Sequence, residues 1–250
     1  MKTLAIIPAR AGSKGFPGKN YSIFLGRPLI QWPILYLLES KIDMDILVYS
    51  DCPMVCKAAN KLGPFTPIKR DVGVSLDSTT TETTLTTALD QMEDYMGFSY
   101  NRVVFITCTE VFRDLAWIEK SFKLHDTCKF ESVFVGNPTH KNFWEETKSG
   151  NLKRLKQEMK FHGNRQQKLP MWREDTGLFC ITNANILRSG LRIGEKVEIV
   201  DGSSIPFNSD IHSEFDMLYA NILYKMYANL QYDFINFYQK YKLVRKDKFG

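Results

Sequence analysis

The chain has 250 residues, 44% of them hydrophobic and 24% charged, and it carries a formal net charge of +5 at pH 7. This composition is typical of a globular protein with one substantial core, which favours a single α/β domain over two domains. The mild positive charge suits anionic small-molecule ligands and does not indicate nucleic-acid binding. The sequence contains no uninterrupted stretch of about 18 apolar residues, which a membrane-spanning helix would need. We therefore expect neither a nucleic acid nor a membrane as a partner.

The five cysteines are odd in number, scattered and without a Cys-x-x-Cys pair; they are Cys52, Cys56, Cys108, Cys128 and Cys180. This pattern argues against a disulfide framework and against a zinc ribbon. The N-terminal apolar run is too short for a signal peptide, since Pro8 and Arg10 interrupt it. Free thiols persist in reducing compartments, so the sequence predicts a cytoplasmic protein.

The first predicted element is a short apolar run, Leu4–Ile7, which is typical of a buried β-strand. Residues 10–20, directly after it, contain three glycines, one proline, one arginine and two lysines. Glycines let backbone N–H groups approach a ligand closely, and successive N–H groups form a concave anion site to which the cations add counter-charge. The pattern therefore predicts a phosphate-binding loop at the end of a strand.

The loop matches neither of two common phosphate-binding motifs. No Gly-Lys-Ser/Thr closes it, which excludes a Walker A motif, and Gly-x-Gly-x-x-Gly is absent, which excludes the dinucleotide fingerprint. The alternative to a phosphate-binding loop is a solvated Gly/Lys turn after an edge strand. We favour the phosphate-binding loop because glycines and cations stand together directly after an apolar strand.

The segment Pro8–Asn20 reads PARAGSKGFPGKN and resembles the N-terminal motif of the acylneuraminate cytidylyltransferases. Members of that family make CMP-sialic acid or activate the related legionaminic and pseudaminic acids, which are nine-carbon sugar acids. The resemblance implies that the loop wraps the triphosphate of CTP and that Arg10 and Lys19 are catalytic phosphate contacts. The nucleotide-binding residues that it implies in the loop are Ala9, Arg10, Ala11, Gly12, Ser13, Lys14, Lys19 and Asn20.

The apolar patterns after the loop alternate between helix and strand. Gln31–Leu38 is predicted as a helix, Asp45–Asp51 as a strand and Pro53–Leu62 as the next helix. Such alternation predicts an α/β fold with helices on both faces of a parallel sheet, in which ligands bind beyond the carboxyl ends of the strands. The resemblance implies a three-layer, mostly parallel (mixed) sheet of Rossmann-like nucleotidyltransferase type, with residues 1–250 forming one domain.

The segment from Lys69 to Thr83 is unusually rich in Ser, Thr and Asp. These residues are common at helix N-termini, so the simplest interpretation is the N-cap region of a helix. The segment also resembles the family's Arg-Pro-x-x-Leu-Ala-x-Asp pattern, although its Pro, Leu and Ala are missing here. The resemblance implies nucleotide contacts from Arg70, Asp77 and Ser78, and the two interpretations are compatible.

The predicted strand Arg102–Thr107 leads into Thr-Cys-Thr-Glu-Val-Phe-Arg, where the family typically has Gln-Pro-Thr-Ser-Pro-Leu-Arg. Of that motif the chain keeps Thr109 and Arg113, and Glu110 stands at the serine position. The family's glutamine contacts the sugar acid, so the resemblance implies substrate binding by Thr107 and Thr109. Thr107 also leaves open a different sugar acid, such as one with eight carbons, or another nucleotide.

Between about residues 137 and 171 the composition shifts, and no helical or strand periodicity lasts long. In the resembling family the equivalent segment is an arm that builds a homodimer, and its Arg-x-x-x-Leu-Pro motif sends an arginine toward the partner's site. The matching residue is Arg165, so the resemblance implies a dimerisation arm in which Arg165 and Gln166 bind substrate. The alternative is a flexible basic surface loop.

Residues 210–216 read DIHSEFD and resemble the family pattern Asp-Ile-Asp-Ser/Thr-Glu-x-Asp, whose two leading aspartates bind Mg²⁺. The resemblance implies that Asp210 is a catalytic metal ligand. His212 stands at the second metal position, where its imidazole is either a ligand that favours Mn²⁺ or a structural residue before a helix. Ser213 and Asp216 predict a capping box at the start of that helix.

Together these features predict a cytidylyltransferase that joins CTP and a nine-carbon 2-keto sugar acid, with Mg²⁺ as cofactor and release of pyrophosphate. No Ser-His-Asp pattern is visible, so catalysis would depend on positioning and charge neutralisation. Two alternatives are a nucleotidyltransferase for another sugar acid or nucleotide, and a nucleotide-binding homologue without turnover. His212 and Glu110 motivate the second alternative, whereas the intact loop with Arg10 and Lys19 argues against it.

Overall fold

The computed structural model describes residues 1–12, 15–71, 73, 79–160, 164, 166, 168–207, 209–230 and 232–243. Five of the predicted site residues lie outside these ranges, and their roles stay predictions: Ser13, Lys14, Asp77, Ser78 and Arg165. In the described part of the chain, no helix is both long and apolar enough to cross a membrane.

The described strands and helices follow the predicted alternation. The strands are β1 (Thr3–Pro8), β2 (Ile23–Phe24), β3 (Arg27–Pro28), β4 (Asp45–Tyr49), β5 (Arg102–Phe105), β6 (Ser132–Thr139), β7 (Trp144–Glu146), β8 (Leu152–Arg154), β9 (Met171–Glu174), β10 (Cys180–Asn183) and β11 (Val197–Asp201). The helices are α1 (Gln31–Glu39), α2 (Pro53–Ala59), α3 (Thr81–Met96), α4 (Leu115–His125), α5 (Ala184–Arg188), α6 (Glu214–Ala228) and α7 (Asp233–Tyr241). Helix α2 is shorter than predicted, since the chain leaves the helix at Asn60 rather than at Leu62.

A mixed, mostly parallel sheet carries these helices. Its strand order is β11-β6-β10-β5-β1-β4, and β9 extends it by pairing with β6. Strand β1 runs parallel to β4 and β5, and β11 runs parallel to β6, whereas β10 lies antiparallel between β5 and β6. The carboxyl ends of β1, β4 and β5 therefore meet at one edge of the sheet. The predicted α/β fold class with a mixed sheet is confirmed.

Two apolar layers lie on opposite faces of this sheet. Side chains alternate along β1, so Ala5 and Ile7 join one buried cluster while Leu4 and Ile6 join the other. The first cluster includes side chains of α1, α2, α4, α6 and α7, and the second includes side chains of α3 and α5. A sheet that is apolar on both faces needs helices on both, and the predicted three layers are confirmed.

Helix α7 anchors the chain segment that follows β5. Its buried Tyr238 ring packs on Phe112, with ring centroids 5.5 Å apart. The Tyr238 hydroxyl accepts a hydrogen bond from the backbone N–H of Arg113 at 2.8 Å and donates one to the carbonyl of Val111. The C-terminal helix therefore fixes the backbone of a loop that lies at the carboxyl end of the sheet.

The described parts of residues 140–170 lie outside the main sheet, whereas residues 137–139 belong to β6 and Met171 to β9. Between β6 and β9, which pair with each other, lie the β7–β8 hairpin and a short 3₁₀ helix, Gln157–Lys160. Large apolar side chains are exposed in and beside this segment, namely Phe143, Trp144, Leu152, Leu155, Leu169 and Trp172. Short strands that bury neither face carry no alternating pattern, so the sequence did not predict the hairpin. The single-domain organisation and the dimerisation role of this segment stay predictions.

Candidate active site

A cavity of about 350 Å³ lies where β1 and β5 end. It brings together six of the predicted site residues, namely Arg10, Lys19, Asn20, Arg70, Thr107 and Thr109. The other described residues that line it are Pro8, Thr79, Thr81, Thr84 and Cys108. Strands β1 and β5 are parallel neighbours, so the loops that follow them converge at this edge, as expected for the fold class.

The first half of the glycine loop is tied to the end of β4. The N–H of Ala9 donates to the carbonyl of Tyr49 at 3.0 Å, and the N–H of Ala11 donates to Asp51 Oδ1 at 2.7 Å. The Ser50 hydroxyl donates to the carbonyl of Ala9. The sequence predicts nucleotide contacts for Ala9 and Ala11, yet their N–H groups are engaged within the chain, where they shape the loop.

The second half of the loop is shaped by Gly18 and Asn20. Gly18 has φ +73°, and a Cβ there would lie 2.5 Å from the Tyr21 hydroxyl, so this turn requires glycine. Asn20 is buried, and its Nδ2 donates to the carbonyl of Arg10 at 3.0 Å. Its Oδ1 accepts a hydrogen bond from Cys108 Sγ at 3.0 Å. Asn20 therefore supports the loop and joins it to the segment after β5.

Positive charge converges on this cavity. Among the described residues that line it, Arg10, Lys19 and Arg70 are cationic and none is acidic. Arg70 is buried, and its Nη2 donates to Thr84 Oγ1 at 3.1 Å. Burial lowers the pKa of Arg70; the charge of Asp51 opposes this shift, and that of Arg10, which lines the same cavity, reinforces it. With the exposed Gly12 in the same loop, this arrangement favours a polyanionic ligand.

A second cavity, of about 370 Å³, adjoins the first at Thr107, which lines both. Its other lining residues are Phe105, Glu110, Arg173, Glu174, Asp175, Thr176, Gly177, Arg192 and Asp210. Unlike the first cavity it mixes carboxyl groups with arginines: Arg173 pairs with Asp175 at 2.6 Å, and Arg192 pairs with Glu174 at 2.7 Å. Gln166 is not among the residues that line either cavity, so its role at a partner's site stays a prediction.

Arg113, which the chain shares with the family motif, is fully buried. Its Nε donates to the carbonyl of Leu178 at 2.8 Å, and its Nη2 donates to the carbonyls of Gly177, at 3.0 Å, and Thr107. Burial lowers the pKa of this guanidinium. Because these donors face backbone carbonyls, Arg113 holds the segment after β5 against the segment before β10.

Backbone pairing places Asp210 at the second cavity. Asp210 and Glu110 form an isolated antiparallel bridge. Lys19 Nζ donates to the carbonyl of the residue after Asp210 at 3.0 Å, and a Cβ on Gly15 would lie 3.0 Å from the carbonyl of His212. The glycine loop, the segment after β5 and the Asp210 segment, which are far apart in the sequence, therefore meet in one place.

The capping box predicted at the start of α6 is confirmed. Ser213 Oγ accepts a hydrogen bond from the N–H of Asp216 at 3.2 Å, and Asp216 Oδ2 accepts from the N–H of Ser213 at 2.8 Å and of His212 at 2.9 Å. The exposed ring of His212 places Nε2 2.9 Å from Asp210 Oδ2. The capped helix start therefore fixes the backbone of His212 while its ring contacts Asp210.

One oxygen of Asp210 has the properties of a cation ligand. Oδ1 is buried and has no hydrogen-bond partner among the described residues. A buried carboxylate oxygen is costly unless a donor or a cation satisfies it, and carboxylates suit Mg²⁺ and Mn²⁺. The described residues form no cluster of three or more His, Cys, Asp or Glu that could hold a metal, so such an ion would take further ligands from substrate or water.

Glu110 is a buried carboxyl that is not among the site residues predicted from the sequence. Burial raises the pKa of Glu110 to about 8; the charge of Arg113 opposes this shift and that of Asp210 reinforces it. The one sequence signal was an acidic residue at the family's serine position, directly after a buried strand. Arg173 and Arg192 were also missed, because they belong to no motif and reach the cavity only through the fold.

A cationic glycine loop at the carboxyl edge of a mostly parallel sheet defines a nucleotide-binding protein of the α/β class. The family model that matches the chain is described as cytidylyltransferase, and the match covers residues 4–245. The chain therefore belongs to the cytidylyltransferase family.

Individual relatives agree with this membership. The CMP-N,N'-diacetyllegionaminic acid synthase of Legionella pneumophila is 26% identical over 220 residues, which cover 86% of this chain and 93% of the relative. The pseudaminic acid cytidylyltransferase of Campylobacter jejuni is 38% identical over 93 residues, 37% of this chain and 40% of the relative. A solved CMP:2-keto-3-deoxy-manno-octonic acid synthetase, complexed with CTP, shares the fold with a TM-score of 0.65 at 14% identity, over 90% of this chain and 99% of its own.

Proposed function

We propose that this protein joins CTP and a nine-carbon 2-keto sugar acid of the sialic, legionaminic or pseudaminic type, giving the CMP-sugar and pyrophosphate. The observation that carries the proposal is a cationic cavity, suited to a triphosphate, that adjoins a second cavity containing two arginines. Membership of the cytidylyltransferase family and the similarity to the Legionella enzyme along most of both chains support it.

In this proposal the first cavity binds CTP. Arg10, Lys19 and Arg70 neutralise the triphosphate, and Arg10 and Lys19 also stabilise the charge that develops while pyrophosphate leaves. Asn20 keeps the loop in shape through its contacts with Arg10 and Cys108. Four further nucleotide contacts come from residues outside the described ranges, namely Ser13, Lys14, Asp77 and Ser78.

The second cavity binds the sugar acid, with Thr107 at its junction with the nucleotide and Thr109 beside it in the first cavity. The carboxylate of the sugar needs a cation, and Arg173 and Arg192 are the cations that line this cavity. The anomeric oxygen bonds to the α-phosphorus, the bond from that phosphorus to pyrophosphate breaks, and the anomeric hydroxyl proton is released. No covalent bond to the protein is required, so catalysis consists of positioning and charge neutralisation.

We propose Mg²⁺, or Mn²⁺, as the cofactor, with Asp210 as a ligand. The buried oxygen Oδ1, which lacks a partner among the described residues, supports this assignment. When bound, the ion would act as a Lewis acid and neutralise phosphate charge. His212, whose ring contacts the other oxygen of Asp210, keeps that carboxylate in position.

A second candidate is the same reaction with an eight-carbon 2-keto acid. Thr107 supports it, because a threonine is shorter than the family's glutamine and lies where the two cavities join. The reaction and the roles of the nucleotide-binding residues stay the same, and the fit of the sugar alone changes.

The test is pyrophosphate release across a panel of CTP, UTP, ATP and GTP with sialic, legionaminic, pseudaminic and eight-carbon 3-deoxy-octulosonic acids. The expected result is release with CTP and a nine-carbon acid well above every other pair. Release with the eight-carbon acid instead would select the second candidate. CTP binding without release from any pair would contradict both and favour a homologue without turnover.

We also propose that residues 137–171 form a homodimer contact and that Arg165 and Gln166 reach the partner's site. The exposed apolar side chains of this segment support it, since exposed apolar patches mark interaction surfaces, and most soluble oligomers close with two-fold symmetry. Light scattering at micromolar concentration should give a dimer mass, and mixing Arg165→Ala with Arg10→Ala subunits should restore part of the activity. A fully active monomer would contradict the arm.

We place the protein in the cytoplasm. All five cysteines are free in the structure, which suits a reducing compartment. Cell fractionation followed by the pyrophosphate assay tests this location, and activity recovered mainly outside the cytoplasmic fraction would contradict it.

A further inference from the structure

The carboxyl group of Asp210 has a second carboxyl group as its neighbour. Asp210 and Glu110 stand directly opposite each other in the antiparallel bridge, and the backbone hydrogen bonds beside them, at 3.0 and 3.4 Å, join the residues on either side. In such a non-hydrogen-bonded pair the Cα atoms are about 4.5 Å apart and both side chains leave on the same face. Both residues line the second cavity.

Glu110 and Asp210 each have a carboxyl oxygen without a close hydrogen-bond donor from the described residues. In the described ranges, Asp210 Oδ1 has no hydrogen-bond partner, and the contact of Glu110 Oε2 with Thr107 Oγ1 is long, at 3.4 Å. The nearby Arg113 donates to backbone carbonyls. Glu110 is only 8% exposed. The Asp210 side chain is 34% exposed, but its Oδ1 atom is buried. A buried acid beside a second carboxyl group is costly unless a cation compensates the pair.

The Glu110 carboxyl group occupies the space beside Gly177 that a side chain would otherwise fill. A Cβ on Gly177 would lie 1.8 Å from Glu110 Oε2 and 3.0 Å from Thr107 Cγ2. Any other residue at this position would therefore displace the carboxyl group. Glycine keeps Glu110 against the backbone of the segment before β10, inside the cavity that Asp210 also lines.

His212 has a different environment from these two acids. Its side chain is 72% exposed, and its Nε2 is already engaged with Asp210 Oδ2. The oxygen that lacks a partner is the other one, Oδ1. Imidazole is also a softer ligand than carboxylate and suits Mg²⁺ less well.

We propose, resting on the proposed function, that Glu110 is the second carboxylate ligand of the divalent cation, so that the site consists of Glu110 and Asp210 rather than Asp210 and His212. Substrate phosphates and water complete the coordination, since Mg²⁺ is commonly held by one or two protein carboxylates plus substrate phosphates. His212 orients Asp210 from outside, as partners of metal ligands commonly do.

The experiment measures Mn²⁺ binding without turnover, from the electron paramagnetic resonance signal of free Mn²⁺, with and without a nonhydrolysable CTP analogue. Glu110→Gln and Asp210→Asn should each weaken Mn²⁺ binding by about tenfold or more. His212→Gln keeps a side-chain N–H that can donate to Asp210 Oδ2, so it should weaken Mn²⁺ binding by less than about threefold unless the imidazole is itself a ligand. The matched control is Glu93→Gln, because Glu93 is also a shielded acid, 14% exposed and paired with Arg188, but lines neither cavity. Circular dichroism confirms that each variant is folded.

A second variant, Gly177→Ala, keeps both acids but displaces the Glu110 carboxyl, and it should weaken Mn²⁺ binding like Glu110→Gln. Wild-type Mn²⁺ binding by both Glu110→Gln and Gly177→Ala would overturn the assignment. A tenfold loss in His212→Gln would overturn it in favour of the histidine. The Mn²⁺ measurement needs no sugar acid, so it tests the cation site separately from the reaction. A failure of pyrophosphate release would contradict the proposed function but would not change the result for the cation site.

Discussion

The cationic cavity and the acidic pair are assembled in different ways. Arg10, Lys19 and Asn20 come from one continuous segment, and the glycines of that segment give it its shape. Glu110 and Asp210 belong to distant segments and become neighbours only because their backbones pair. The first region can therefore be recognised from a local motif, whereas the second depends on the register between two loops.

The two regions also differ in charge and are physically joined. Among the described residues, the charged ones that line the cavity beside the glycine loop are all cationic, whereas those that line the neighbouring cavity are four acids and two arginines. Lys19 links them, because its Nζ donates to the backbone carbonyl next to Asp210. This arrangement suits a triphosphate whose charge is neutralised by side chains on one side and by a cation on the other.

The largest expected effect comes from breaking the cationic region alone. Arg10→Ala or Lys19→Ala should lower kcat/KM by on the order of 10²-fold or more, because each removes charge stabilisation from the reacting phosphates. Lys57→Ala, on the exposed side of α2, is the matched control and should keep wild-type activity. Steady-state pyrophosphate release measures the effect, and wild-type turnover in both loop variants would remove them from the site.

The acidic pair should make the free energy of unfolding of the metal-free protein depend on pH. The raised pKa of Glu110, about 8, means that the folded chain binds a proton that the unfolded chain releases above its ordinary pKa near 4.3. The free energy of unfolding should therefore fall from about pH 5 to pH 8 relative to Glu110→Gln, by roughly 3–4 kcal/mol. Chemical denaturation at several pH values measures this difference, and parallel curves for the two proteins would exclude a buried ionisable Glu110.

A substitution at Gly177 should move the Glu110 carboxyl group without removing its charge. Gly177→Ala should lower kcat/KM by about tenfold at limiting Mg²⁺, because a displaced ligand weakens metal binding to that extent. The loss should shrink at saturating Mg²⁺, since mass action compensates for weaker binding. Gly190→Ala, where a Cβ meets nothing within 4 Å but φ is +85°, controls for a general glycine effect. A Gly177→Ala loss that is independent of Mg²⁺ would point to sugar binding instead.

The smallest expected effect comes from the helix cap beside the acidic pair. Ser213→Ala removes the side-chain acceptor of the α6 capping box and should cost about 1 kcal/mol. Differential scanning calorimetry should show a decrease in Tm of about 2–4 °C. Ser213→Thr keeps the hydroxyl and serves as the control. A Tm loss as large for threonine as for alanine would show that the cap hydrogen bond is not the cause.

Several features could be predicted from local patterns. The apolar run that forms β1, the glycine loop, helix α1 and the capping box at Ser213 and Asp216 all follow from residues within one or two turns of each other. These features depend on residues that are close in the sequence, because the spacing of apolar side chains, the geometry of turns and capping hydrogen bonds all involve chain neighbours. The long motif at residues 8–20 is likewise local, and it carries the family resemblance by itself.

Other features could not be predicted from local sequence patterns. The antiparallel insertion of β10 between β5 and β6, the scaffold role of Arg113 and the pairing of Glu110 with Asp210 all join segments that are distant in the sequence. Each depends on strand register and on the packing of the whole sheet, which a single sequence does not encode in any one window. The sequence alone thus predicts the phosphate-binding loop, because its residues are contiguous. Only the tertiary structure shows that Glu110 is the neighbour of Asp210, because that contact depends on how two distant loops pair.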